Sequence, residues 1–243
     1  MGEPALAGWD GFGVVVQAYG PRAGVVIDTL YEMAQRHDRR IMARLVKGAY
    51  WDTEIKRAQE RGLSSFPVFT RKEATDVSYL ACARRMLAAR DRLYPMFATH
   101  NAHTVAAIDV MAGNDRRFEY QRLHGMGETL YEAALGDAPS KGGVSCRIYA
   151  PVGAHEDLLP YLVRRLLENG ANTSFVHRLA DESVAIGDLV ADPVAKLAGR
   201  ASRPNPSIPL PGAIYAPERP NSQGLDLADP LVVMELDAAV AAA

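Results

Sequence analysis

In the segment "YLVRRLLENGANTSF", residues 161–175, two arginines stand side by side among leucines and a valine. Leu162, Val163, Leu166 and Leu167 recur at helical spacing, and Gly170 is a natural helix stop. Neighbouring helical positions lie about 100° apart, so Arg164 and Arg165 cannot both turn away from that apolar surface. Two guanidinium groups at the edge of a core need an anion, and their planar forks suit a carboxylate. Either a substrate supplies it, or Glu168, Asp157 or Glu156 does so as a structural ion pair.

Other residues offer chemistry that their spacing supports less. Lys47 falls at the end of an apolar run and reads either as a Schiff-base amine or as a solvated loop lysine. His100 and His103 in "THNAH" have i, i+3 spacing, but no third metal ligand is evident nearby. Neither a G-x-G-x-x-G nor a P-loop pattern occurs, so no glycine loop for phosphate is expected. In "HGMGE" (124–128), Gly125 and Gly127 suit a tight strand-to-helix turn. Arg84 and Arg85 repeat the double arginine, but Arg90, Asp91 and Arg92 around them suggest a solvated face. Met86, Met96 and Met111 read as core filler.

The elements that must position these groups follow from periodicity. Five apolar runs are each followed by a helical pattern: "VVVQAY" (14–19), "IMARLV" (41–46), "PMFATHN" (95–101), "FEYQRLHG" (118–125) and "CRIYAPVG" (146–153). Val26, Leu30, Met33 and His37 trace one face of the first helix. Residues 52–62 and 71–93 read as two further helices with a loop at Phe66 and Pro67, and 104–113 and 127–136 as shorter ones. The arginine helix follows the fifth strand and should pack on the sheet. Strands alternating with helices imply right-handed βαβ units and a parallel sheet. Gln17, Arg44 with Lys47, His100 with Asn101, Leu123 with His124, and Tyr149 all fall at or just after strand ends, the edge where such sheets and barrels bind ligands. Past residue 200 the chain is dense in proline and reads as an extended strap, ending in "LDAAVAAA", a weak helix or frayed tail.

Bulk properties narrow the class. At 243 residues with 48% hydrophobic and 23% charged residues the chain is an ordinary globular protein. A net charge of −2 gives no reason to expect nucleic acid or an anionic membrane as partner. Cys82 and Cys146 form no disulfide framework and suggest structural thiols in a reducing compartment. The opening "MGEPALAGWDGFG" has neither the basic nor the apolar part of a signal peptide, so a cytoplasmic location is expected.

Taken in order, "RLVKGAYWD" (44–52), "THNAHT" (99–104), "LHGMGE" (123–128), "CRIYAPVG" (146–153) and "YLVRRLLENGANTSF" (161–175) resemble the proline dehydrogenase domain of the bifunctional proline utilization A family. The resemblance implies an α/β fold, a distorted TIM-like (βα)8 barrel, of which this chain would supply the last five βα units over residues 1–200. Residues 201–243 would be the proline-rich strap leading towards an aldehyde dehydrogenase domain. It implies FAD-dependent oxidation of L-proline to Δ1-pyrroline-5-carboxylate, with electrons passed to a quinone and peripheral membrane association in the full-length enzyme. Arg164 and Arg165 would hold the proline carboxylate. Tyr149, Tyr50 and Ala49 would border the substrate ring, and Leu123 would press on it from an apolar side. Gln17, Arg44, Val46, Trp51, Thr70, Thr99, His100 and Glu168 match positions that hold FAD, with Arg44 near the reactive edge of the flavin, Thr99 and His100 towards the pyrophosphate or ribityl region, and Trp51 at the adenosine end. The family's first three strands, which carry an Asp and a Lys of the proline site, have no counterpart here. The partners to be expected are a polypeptide that supplies this missing N-terminal barrel portion, or other copies of the chain in a homo-oligomer. The alternative is a non-catalytic half-barrel that acts only as an interaction module, with "VVVQAY" as an exposed apolar edge.

Overall fold

Successive residues of a strand face opposite ways, so each of the five apolar runs has one side for helices and one for whatever the sheet encloses. The structure, a computed structural model, describes residues 2–136, 143–170, 181 and 183–242, and for 166–170 the backbone alone. The strands are β1 (Gly13–Gln17), β2 (Ile41–Val46), β3 (Leu93–Ala98), β4 (Glu119–Leu123) and β5 (Ser145–Tyr149). Between them lie α1 (Ala23–Arg36), α2 (Trp51–Glu60), α3 (Lys72–Ala88), α4 (Ala102–Ala112) and α5 (Glu128–Leu135), and α6 (His155–Gly170) follows β5. All four pairings are parallel and the order is β1-β2-β3-β4-β5, the consecutive arrangement of a barrel wall.

One side of the sheet carries the core. Ala43, Leu45, Phe97 and Tyr120 are at most 1% exposed and join Ile27, Tyr79, Met86 and Ile108 from the helices in one cluster. Phe118 packs edge-on against Phe97 and Tyr120, with centroids 5.6 and 5.4 Å apart. The buried phenols are satisfied: Tyr120 donates to the Val105 carbonyl at 3.0 Å and Tyr131 to the Thr99 carbonyl at 2.8 Å.

Three expectations change. The buried stripe of α1 is Ala23, Ile27, Leu30 and Ala34, whereas Val26 and Met33 are exposed. Alanines let the helix approach the sheet closely, so small residues select the face over larger ones. The helix expected over 71–93 stops at Ala88, because Leu93 already pairs with Ile41 as the first residue of β3. The third change concerns α6, where Leu162 and Val163 are exposed while Arg164 and Arg165 are half-buried, the reverse of a helix lying on the sheet. On the helix side of β5, Ile148 is 52% exposed, so α6 does not cover its own strand. The edge strand β1 is mixed: Val15 is exposed and Val16 is buried.

The proline-rich segment is tied to the body through α2 and α3. Arg71 Nε lies 3.1–3.2 Å from the carbonyls of Ser202, Arg203 and Pro204, and Asn221 donates to the Gln59 carbonyl at 2.9 Å. Gly62 has φ +60°, and a Cβ there would sit 1.8 Å from the Ser222 carbonyl oxygen, so only glycine fits beneath the strap. Short helices α7 (Ile186–Leu189) and α8 (Pro193–Ala198) precede the strap, and α9 (Pro230–Ala241) follows it.

Candidate active site

The other side of the sheet mixes apolar residues with a polar strip. Alternation puts Arg44 on β2, Glu119, Gln121 and Leu123 on β4, and Arg147 and Tyr149 on β5 on this inner side. In a flat sheet β2 and β5 would lie about 14 Å apart. Here the Arg44 guanidinium sits 4.9 Å from the centre of the Tyr149 ring, and Arg44 Nε donates to Gln121 Oε1 at 2.7 Å. The sheet is therefore curled, with Arg44 reaching across its concave side. Gln121 Nε2 donates onward to Glu119 Oε1 at 2.7 Å, and Arg147 grips the same carboxylate with Nε and Nη2 at 2.8 and 2.9 Å. Burial alone would raise the Glu119 carboxyl, but the Arg147 fork and the Gln121 amide hold it below the usual carboxylate range.

At the C-terminal rim the side chains are set by turns. Leu123, 6% exposed, donates its backbone N–H to His100 Nε2 at 3.2 Å. An accepting Nε2 implies a neutral ring with its proton on Nδ1. Burial, with Arg165 and Arg122 adding like charge, pulls the His100 imidazole down to about 4. Gly125 and Gly127 both have positive φ, at +77° and +70°, and a Cβ on Gly127 would stand 2.9 Å from the His100 ring. Thr99 is buried in the same rim, its hydroxyl accepting from the Asn101 N–H at 3.2 Å. Asn101 itself caps α4 by accepting from the Thr104 N–H at 3.0 Å.

The arginine helix crosses this rim. The Arg164 guanidinium stacks 5.3 Å from the Tyr50 ring centre, and Tyr50 with Ala49 belongs to the loop that follows β2. Arg165 lies 5.3 Å from the Tyr161 ring and close enough to His100 to act on its charge. A helix leaving β5 thus touches the far end of β2, which explains the exposed leucine and valine on its other side. Arg164 Nε is buried without a hydrogen-bond partner among the described residues. The ion-pair alternative with Glu168 lies outside the described residues, since only the backbone of 168 is described.

Next to this rim is a cavity of about 730 Å³, lined by Tyr19, Lys47, Trp51, Thr70, Asp76 and His103, with Arg71, Lys72, Lys196 and Arg200 adding positive charge. Lys47 pairs with Asp76, which also accepts from Lys72 at 2.7 Å. Burial pulls the Lys47 ammonium down and Asp76 offsets this only in part. Trp51 is fixed by donating Nε1–H to the Phe69 carbonyl at 2.7 Å, and Thr70 accepts from the Asn205 N–H of the strap at 2.9 Å.

The structure therefore gathers Arg44, Leu123, Tyr149, His100, Tyr50, Arg164 and Arg165 at one mouth. Gln17 and Val46 end β1 and β2 as register partners beside it. Trp51 and Thr70 belong instead to the neighbouring cavity, and His100 and His103 diverge, one to the rim and one to the cavity. Glu119, Gln121 and Arg147 were missed, although i, i+2 spacing in "EYQRL" places polar residues on the face that ends in Leu123.

The model of the family described as proline dehydrogenase matches residues 1–178. The bifunctional protein PutA of Klebsiella aerogenes is 60% identical over 237 residues, covering 93% of this chain and 18% of that protein. The crystal structure of a variant of proline utilization A from Bradyrhizobium japonicum superposes with a TM-score of 0.92 at 53% identity, over 99% of this chain and 24% of that one. That of proline utilization A from Bdellovibrio bacteriovorus, inactivated by N-propargylglycine, gives 0.81 at 34% over 99% of this chain and 24% of that one. This chain thus spans about a fifth of the curated relative's length, and by these matches it belongs to the proline dehydrogenase family.

Proposed function

We propose that this chain forms the cofactor- and substrate-facing wall of an enzyme that oxidises L-proline to Δ1-pyrroline-5-carboxylate with FAD. The observation that carries the reading is the mouth at which Arg164, stacked on Tyr50 and with a buried Nε that has no hydrogen-bond partner among the described residues, meets Arg44, Leu123 and Tyr149. An arginine held against an aromatic ring beside a half-apolar pocket suits a small cyclic amino acid, whose carboxylate takes the forks while its ring meets Leu123, Tyr50 and Ala49. The residues also fit FAD. The cavity is large enough for a nucleotide and Trp51 offers an aromatic wall. Lys47 and Lys72 pair with Asp76 and Arg200 with Glu73, but with Arg71 and Lys196 the cations of the lining outnumber these two carboxylates, a balance that suits a diphosphate.

In this reading Arg164 and Arg165 bind and orient the carboxylate, and Leu123, Tyr149 and Tyr50 exclude water from the reacting carbon. Arg44 would lie near the reactive edge of the flavin, Thr99 and His100 towards the pyrophosphate or ribityl region and Trp51 at the adenosine end, while Gln17, Val46, Thr70 and Glu168 would complete the set that holds FAD. Held by these residues, FAD would supply the hydride acceptor for proline C5. A quinone as the next acceptor, peripheral contact with a membrane and a cytoplasmic location belong to the same proposal. Among the described residues no helix is long and apolar enough to cross a membrane. Residues 1–200 would form the barrel section and 201–243 the strap.

The test is uptake of FAD by the full chain, followed by reduction of the bound flavin on adding L-proline. Flavin bleaching by proline supports the reading, and a colourless protein after loading overturns it. A second reading, an interaction module without catalysis, draws on the two open sheet edges, where Val15 and Ile148 are 55% and 52% exposed. It requires that the chain associate, with itself or with a barrel-completing polypeptide, while taking up no flavin.

A further inference from the structure

The inner face holds a polar chain that neither substrate nor cofactor binding explains. Glu119 is 3% exposed and its partner Arg147 is 59% exposed on the side chain, so the pair bridges the floor of the concave face and solvent. Such a pair adds little stability over apolar residues of the same size. Its geometry has a direction, however. An ionised carboxylate only accepts and a guanidinium only donates. Glu119, held ionised by Arg147, therefore requires the Gln121 NH2 group to face it, and that leaves Gln121 Oε1 turned to Arg44. Gln121 is 6% exposed, and its NH2 also lies 3.2 Å from Met96 Sδ, so its side chain is enclosed. Every link is 2.7–2.9 Å long.

We propose that Arg147, Glu119 and Gln121 are positioning residues that fix Arg44, with Nε committed to Gln121 and the guanidinium over Tyr149. This deepens the flavin reading and rests on it. A guanidinium held in place beside the isoalloxazine favours the reduced, more negative form, whereas one free to swing into water is screened and favours it less. Among the described residues no hydrogen bond joins Arg147 to Arg44, so an effect of Arg147 on the Arg44 Nε–H has to pass through the chain, and Arg147→Lys, which keeps the charge, separates this from a through-space effect on the flavin.

The experiment uses the full chain with two readouts. One is hydrogen exchange of the Arg44 Nε–H by side-chain NMR, which requires no ligand. The other is the ratio of reduced to oxidised flavin when the FAD-loaded chain is poised against a reference dye. Gln121→Met should speed Arg44 Nε–H exchange about tenfold and lower the reduced-to-oxidised ratio about tenfold. Arg147→Met should move both in the same direction by about threefold, and Arg147→Lys should recover part of each. If Gln121→Met fails to fold, the exposed position 147 still decides. Unchanged Arg44 exchange in the folded variants overturns the proposal and leaves the flavin reading standing. Faster exchange with an unchanged flavin ratio overturns it too, since Arg44 is then held without consequence. A parent chain that takes up no FAD sinks the flavin reading, and the proposal with it. That failure shows in the parent and not in the variants.

Discussion

The two faces of one sheet are made from alternate residues of the same short strands, and they do opposite work. On β4, Tyr120 points to the helices, where it packs with Phe97, Phe118 and Tyr131, while its neighbours Glu119 and Gln121 point inward and form a hydrogen-bonded chain to Arg44. On β2, Ala43 and Leu45 are wholly buried and Arg44 between them is not. The difference teaches that period-two alternation separates stability from chemistry at single-residue resolution. Substitutions of the buried helix-side residues should cost the most stability, and those on the inner side should cost less and change what the protein binds.

The largest effect tests the first half of that statement. Phe97→Ala removes a ring with no exposed surface from the centre of the aromatic cluster and should cost about 3–5 kcal/mol, measured by urea unfolding. A cost below about 1 kcal/mol would mean that the helix side is loosely packed and the comparison fails.

Arg164→Met, on the helix that crosses the mouth of the inner side, carries the second half to the binding site. It should leave the unfolding midpoint close to that of the parent, because the residue lies on a helix whose apolar side is already exposed. It should weaken a proline-like cyclic carboxylate by roughly tenfold to a hundredfold, about 1.5–3 kcal/mol for a charge-assisted contact in a partly dry pocket. Arg164→Lys should restore part of this, since lysine carries the charge without the fork. Titration of the FAD-loaded chain checks it, and unchanged affinity would make the pair structural.

How much of this was legible in the sequence depends on the range of the interactions. The five strands and the parallel order follow from local periodicity, which is a property of neighbours. The rim residues were legible because strand ends are marked by the turns that follow them, as at "THNAH" and "LHGMGE". What escaped was set at long range. The Arg44–Gln121 bond joins residues 77 apart and requires the sheet to curl, and the strap contact of Thr70 spans 135. The orientation of α6 escaped for the same reason. Its apolar spacing is that of a sheet-packed helix, and only the contact of Arg164 with Tyr50 places it across the mouth.

His100, at the C-terminal rim, gives a prediction of intermediate size. Its Nε2 accepts the Leu123 N–H, so the folded state favours the neutral ring, with an imidazole at about 4 against about 6.5 for an unfolded chain. The unfolded state therefore binds the proton first as pH falls. The stabilisation is complete above about pH 6.5 and is lost progressively as pH falls through about 4, below which both states are protonated. Allowing for partial exposure, the loss should be on the order of 1–2 kcal/mol. Urea midpoints between pH 7 and 4 should fall for the parent and fall less for His100→Gln. Parallel curves would place the acid sensitivity elsewhere.

The smallest effect sharpens the comparison by moving the same chemistry off the sheet. Arg85 and Asp28 form an ion pair between α3 and α1, with side chains 52% and 53% exposed. Water screens both charges, and ordering two long side chains offsets most of the attraction, so Arg85→Ala should change stability by only about 0.2–1 kcal/mol. Even that should vanish at high salt, where exposed charges are screened within a few ångström. The Arg147–Glu119 pair has the same partners in chemical type, but its carboxylate is on the buried floor of the inner face and its bonds lead to Arg44. If Arg85→Ala and Arg147→Met shifted the urea midpoint equally, and both shifts disappeared in salt, the inner pair would be another surface contact. A larger, salt-resistant shift for Arg147→Met alone would mean that burial of Glu119 gives one of two similar ion pairs its consequence.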